Sequence, residues 1–218
     1  MGHLLKDLLA MGLALSLGMG AYSLPALAQD QTLKAARLAH EDGRYTEAIA
    51  ILSRGLKARP HDAGMLRLRA EAYQYLGNLR QAEADLRTGL TASPADPNLL
   101  EGMGWLKLFQ RDYVGAEAWL RRALDQDPEH AWARLNLAHA LLLQARDAEA
   151  IALYCALLQT DIRETVGQSM SKDFARLRSQ GISHPGFDTL PPKFTPVCGP
   201  GLIYPSECGF EPELPADR

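Results

Sequence analysis

Three cysteines and six histidines are the residues of this chain best suited to chemistry, and their spacing decides which chemistry is open. His3, His40, His61, His130, His139 and His184 stand far apart, and none has a partner at the helical spacing that lets two imidazoles share a metal. No glycine-rich phosphate loop, dinucleotide fingerprint or nucleophile elbow accompanies them. The sequence thus offers no catalytic set, no metal site and no cofactor site, and an enzyme is the least supported class. Cys198 and Cys208 bracket Gly199-Pro200-Gly201 and Tyr204-Pro205, a stretch able to turn. In an oxidising compartment the expected product is a Cys198–Cys208 disulfide. Cys155 lies in a helical stretch and reads as a packed thiol.

The N-terminus supplies that compartment. Lys6 and Asp7 precede an apolar run from Leu8 to Met19, and Ala26-Leu27-Ala28 follows with small residues spaced as at a cleavage site. Residues 1–28 read as a signal peptide cleaved after Ala28. The mature chain would start at Gln29 in the periplasm of a bacterial envelope, with no stable membrane span after cleavage. An uncleaved anchor is the alternative, but the run is short and glycine-rich for a span. The formal charge is −3 and no long basic block occurs, which argues against nucleic acid as a partner.

Between leader and tail, residue types recur every 34 positions. Pro60, Pro94 and Pro128 keep this spacing, as do Ala48, Ala82, Ala116 and Ala150. So do Leu52, Leu86, Leu120 and Tyr154, and Leu56, Leu90, Leu124 and Leu158. A helix pair of this length cannot bury its own apolar stripe, so neighbouring pairs must stack. Ala70, Gly104, Ala116 and Ala123 allow close approach of helix backbones. The set Leu66, Ala70, Tyr73, Gly77, Ala82, Leu86, Leu90 and Pro94 resembles the tetratricopeptide repeat family, as does Leu100, Met103, Gly104, Ala116, Leu120, Ala123, Leu124 and Pro128.

The expected fold is all-α. It is an α-solenoid of four tetratricopeptide repeats over 29–161 (about 29–62, 63–96, 97–130 and 131–161), with a capping helix over 162–181 and an extended Pro-rich tail over 182–218. First helices are expected near 30–42, 63–76, 97–110 and 131–144, and second helices near 45–58, 79–92, 113–126 and 147–160. Asp96 before Pro97 is a helix start, and Asp161 to Glu164 resembles a capping box opening the ninth helix. Val166, Met170, Phe174 and Leu177 form that helix's apolar stripe, and Gly181 ends it. The tail's apolar residues between prolines suggest a strap returning over the repeats; a mobile tail is the alternative.

The resemblance implies that first helices line a concave groove holding a protein or peptide partner. The groove residues so placed are Arg37, Arg67, Glu71, Tyr75, Asn98, Trp105, Phe109, Trp132, Asn136 and His139. Trp105, Phe109 and Trp132 either anchor a partner or pack between repeats. A chaperone-tail clamp of the family is not supported, because Leu33 and Arg37 stand at its first two positions. Two functions remain: an interaction scaffold of envelope assembly or secretion, and a structural subunit of a larger envelope complex. Oligomeric state and partner identity are not legible.

Non-reducing alkylation and peptide mapping of the exported protein should show Cys198 and Cys208 joined and Cys155 labelled. Labelling of all three thiols would contradict both the disulfide and the oxidising compartment.

Overall fold

The computed structural model describes residues 24–187. The expected leader before Leu24 and most of the tail, with Cys198 and Cys208, lie outside the described residues. Within them the elements are α1 Leu24–Glu41, α2 Tyr45–Ala58, α3 Ala63–Tyr75, α4 Leu79–Ala92, α5 Pro97–Phe109, α6 Tyr113–Gln126, α7 Ala131–Leu143, α8 Asp147–Leu158 and α9 Arg163–Ser179. No strand occurs among the described residues. Eight of these helices pair as α1–α2, α3–α4, α5–α6 and α7–α8, and each pair packs on the next. α1 begins six residues before its expected start, so Ala26-Leu27-Ala28 forms part of its first turns.

Helix starts repeat with the period. Asp62 accepts from the Met65 amide at 3.0 Å, and Asp96 from the Asn98 and Leu99 amides at 2.9 and 3.1 Å. At the third such position His130 takes the role, its Nδ1 accepting from the Ala133 amide at 3.1 Å. Each cap satisfies amides that the first turn leaves without partners. Burial holds the His130 pKa below its usual value, which keeps the ring able to accept. The capping box expected at Asp161 to Glu164 does not form. Ile162 is the N-cap residue of α9 and makes no side-chain cap bond.

The turns inside the pairs repeat too. Gly43, Gly77, Arg111 and Ala145 all have positive φ, at 75°, 75°, 60° and 58°. The short turn reverses the chain through one left-handed residue, which glycine adopts without cost and Arg111 or Ala145 only with strain.

Close packing of pairs depends on residues without room for side chains. Ala36, Ala70 and Ala138 are buried at the same register as Gly104. A Cβ on Gly104 would lie 2.5 Å from Leu120 Cγ, inside contact distance. The central helix α5 is covered on both sides, so Leu99, Leu100, Met103, Leu106 and Leu108 are all buried and its amphipathic pattern is nearly lost. A buried ion pair joins α3 to α4: Arg69 Nε and Nη2 donate to Asp85 at 2.7 and 2.6 Å, and Nη1 donates to Ser53 of α2 at 3.0 Å.

Helix α9 closes the last repeat. Val166, Met170, Phe174 and Leu177 are all buried, and Gly181 ends the helix at φ 69°. Phe187 stacks on Phe174 at 4.4 Å. Arg111 Nη2 donates to the Gly181 carbonyl at 2.9 Å, tying the end of α9 to the α5–α6 turn.

Gly104→Ala should lower unfolding stability by about 1–3 kcal/mol through overpacking against Leu120. Ala145→Gly should raise it by roughly 1 kcal/mol by relieving the left-handed residue. Urea titration followed by circular dichroism checks both signs.

Candidate functional site

The first helices of the pairs and one side of α9 enclose a groove of about 470 Å³. Its position follows from the sequence period: Arg67, Glu101 and neighbours one turn on project from the same face of successive first helices. Eight of the ten expected groove residues line it: Arg37 from α1; Arg67, Glu71 and Tyr75 from α3; Asn98 and Trp105 from α5; Trp132 and Asn136 from α7. Trp132 is 41% exposed, whereas Trp105 is 7% exposed and packs edge-on to Phe109 at 5.1 Å.

Phe109 and His139 are not among the side chains that line the groove. Phe109 sits beneath Trp105 in the core cluster. His139 is fully buried, turned toward α8 and α9. Its Nε2 faces Asp173 Oδ2 at 3.4 Å, and its Nδ1 lies 2.6 Å from the Tyr154 hydroxyl. A proton on Nε2, shared with Asp173, leaves Nδ1 to accept from Tyr154. The helical period placed His139 with the groove residues. The docking of α9 covers that position, because Phe174 lies 5.0 Å from the imidazole.

Three further lining residues, Ser169, Asp173 and Arg176, come from α9, a helix outside the repeats to which the expected groove was confined. The Arg176 guanidinium carbon lies 3.4 Å from the Tyr75 ring centre, 4.8 Å from that of Phe109 and 5.5 Å from that of Trp105. Cation–π attraction of this kind gains strength where water is excluded. Burial lowers the Arg176 pKa, while Tyr75, Glu71 and Asp173 oppose that shift. Arg176 stands one residue before Leu177 of the apolar stripe, so a helical wheel of α9 alone could have placed it beside the docked face.

The floor of the groove carries polar groups that the fold encloses. Gln74 is 2% exposed and its Oε1 has no hydrogen-bond partner among the described residues. Asn98 Oδ1 lies 3.3 Å from His130 Nε2; because Nδ1 of that ring accepts the cap bond, Nε2 carries the proton and donates. Glu101 is 8% exposed and accepts from Asn136 Nδ2 at 2.6 Å. Burial pushes its carboxyl up to about 7; Arg67 and the Asn136 bond pull it down, and Glu71 and Asp173 add to the rise. Arg67 and Glu71 pair at 3.6 Å along α3, and His40 approaches Glu71 at 3.8 Å. Among the described residues no group of three or more histidine, cysteine or acidic side chains is placed to hold a metal. No helix of the described residues is long and apolar enough to cross a membrane.

A family model described as tetratricopeptide repeat matches residues 39–106 and 108–161. The mouse protein named tetratricopeptide repeat protein 16 is 24% identical over 182 residues, covering 72% of this chain and 24% of its own length. Cellulose synthase 2 operon protein C of Komagataeibacter xylinus is 35% identical over 127 residues, covering 56% of this chain and 10% of its own. This chain therefore spans a quarter or less of the length of these two relatives. Among solved structures, PilW, described as a widely conserved type IV pilus biogenesis factor, superposes with a TM-score of 0.58 at 20% identity, covering 75% of this chain and 82% of PilW.

Glu101 gives the site a pH signature. A carboxyl with a raised pKa holds its proton more tightly folded than unfolded. Its stabilising effect is complete below about 4.5 and declines as pH rises to about 7. Glu101→Gln keeps the Asn136 bond and removes the titration. The variant should gain on the parent by about 1–3 kcal/mol between pH 5 and pH 8, read from urea unfolding at both values.

Proposed function

The chain belongs to the tetratricopeptide repeat family, and from that premise we propose that it is an interaction scaffold holding a partner polypeptide in its concave groove. The observation that carries this reading is the groove itself. It runs along α3, α5 and α7 with charged, amide and aromatic side chains directed inward, and the Trp132 indole is 41% exposed at one end. An exposed aromatic beside polar groups is the composition of a binding hot spot, where a buried ring contributes about 2 kcal/mol or more.

We place this scaffold in the periplasm, in envelope assembly or secretion. The apolar run Leu8 to Met19 followed by Ala26-Leu27-Ala28 supports export with cleavage after Ala28. Such cleavage would leave residues 29–41 of α1, still more than three helical turns. The likeness to a pilus biogenesis factor and to a cellulose synthase operon protein fits an envelope setting. A Cys198–Cys208 disulfide would form in the same compartment.

The decisive variant is Trp132→Ala, because Trp105 belongs to the core cluster and its loss would disturb the fold. Trp132→Ala should weaken partner capture from periplasmic extract at least tenfold and leave the helical melting curve within about 0.5 kcal/mol of the parent. A stoichiometric complex insensitive to Trp132 would move the function to the convex side and ends, as a structural subunit of an envelope complex.

A further inference from the structure

Two buried carboxylates among the described residues, Asp85 and Glu101, have different company. Asp85 is 7% exposed and receives a two-pronged guanidinium from Arg69. Glu101 is 8% exposed and receives one neutral amide, from Asn136, with no ion pair within 4 Å among the described residues. A carboxylate removed from water without a cation is costly, and a guanidinium is the group that best matches its geometry. Asp85 faces the interior of a repeat, where the chain supplies that group. Glu101 faces the groove, where a partner can reach it.

The groove already accepts one guanidinium. Arg176 of α9 rests on Tyr75 at 3.4 Å, with Trp105 and Phe109 close by. The same cavity holds a second buried acceptor, Gln74 Oε1, which has no hydrogen-bond partner among the described residues and sits on a side chain that is 2% exposed. Two enclosed acceptors beside aromatic faces suit a ligand rich in donors.

We propose that the groove reads a basic side chain of its partner, an arginine whose guanidinium pairs with Glu101 on the groove floor. This rests on the reading of the groove as the partner site. The other charges around Glu101 leave that seat open. Arg67 on α3 is paired with Glu71, which His40 of α1 also approaches. Arg176 on α9 is held by the rings, its Nη2 buried without a hydrogen-bond partner among the described residues, and Asp173 of α9 faces His139 of α7. His130 of α7 is engaged as a helix cap, and Arg37 of α1 is exposed at the groove edge. Arginine binding requires the ionised form of Glu101, so it releases a proton when the carboxyl starts out protonated. Affinity should therefore rise from pH 6 to pH 8.

The test is an array of random-sequence decapeptides containing arginine, each with a citrulline twin and a glutamate twin, probed with the full chain. The best pairs are then measured in solution by fluorescence anisotropy at pH 6 and pH 8. Arginine peptides should bind roughly tenfold or more tightly than their citrulline twins, the difference expected for a charge-assisted pair. In Glu101→Gln that difference and the pH dependence should both vanish, with unchanged circular dichroism. The citrulline comparison needs no variant, so it stands even if Glu101→Gln misfolds. Equal binding of the twins, preference for glutamate, or an arginine preference that survives Glu101→Gln would overturn the proposal and leave the groove reading intact. Failure of every peptide to bind, or binding indifferent to Trp132→Ala, would overturn the groove reading and this proposal with it.

Discussion

The close approach of helix backbones at small residues is the constraint on which everything else in this molecule rests. Gly104 lets α5 press on Leu120 of α6 with no space for a Cβ, and Ala36, Ala70 and Ala138 hold the matching places in the other pairs. With a small residue buried at the same register in each pair, the inward faces of the first helices line one groove. A larger residue at such a place would tilt one helix against its neighbour and break the line of inward-facing side chains. The groove is thus a by-product of interior packing.

That packing separates two kinds of buried polarity. Arg69 and Asp85 satisfy each other and join adjacent helices, so their burial belongs to the fold. Gln74 and Glu101 are as deeply enclosed, but among the described residues Gln74 Oε1 lacks a partner and Glu101 has only an amide donor. Folding alone gives little reason to keep such groups where an apolar residue would pack as well. Their shared position on the groove floor is what makes them candidates for binding.

Helix α9 has two roles at once. Its apolar stripe seals the final repeat, covering His139 and Tyr154 that would otherwise face water. Its other side adds Asp173 and Arg176 to the groove, so the element that ends the stack also sets the charge and aromatic contacts of the site. Arg111, strained in the left-handed turn of the third repeat, holds the far end of α9 through the Gly181 carbonyl. A residue that costs conformational energy in its turn therefore contributes to positioning the cap.

The sequence by itself determined the architecture. The 34-residue spacing of prolines, alanines and leucines carries helix length, pairing and stacking together, because each unit can bury its stripe only against the next. The resemblance that this spacing carries put Arg37, Arg67, Glu71, Tyr75, Asn98, Trp105, Trp132 and Asn136 on the inward layer, and these side chains line the groove. Only the tertiary structure decided which inward positions stay open. Phe109 and His139 share that period but are covered, one beneath Trp105 and the other by Phe174 of α9. Arg176 enters the groove from a helix that lacks the repeat pattern. Where α9 docks depends on contacts between residues far apart in the chain, such as Arg111 with Gly181 and Tyr75 with Arg176, and a local period carries no information about these.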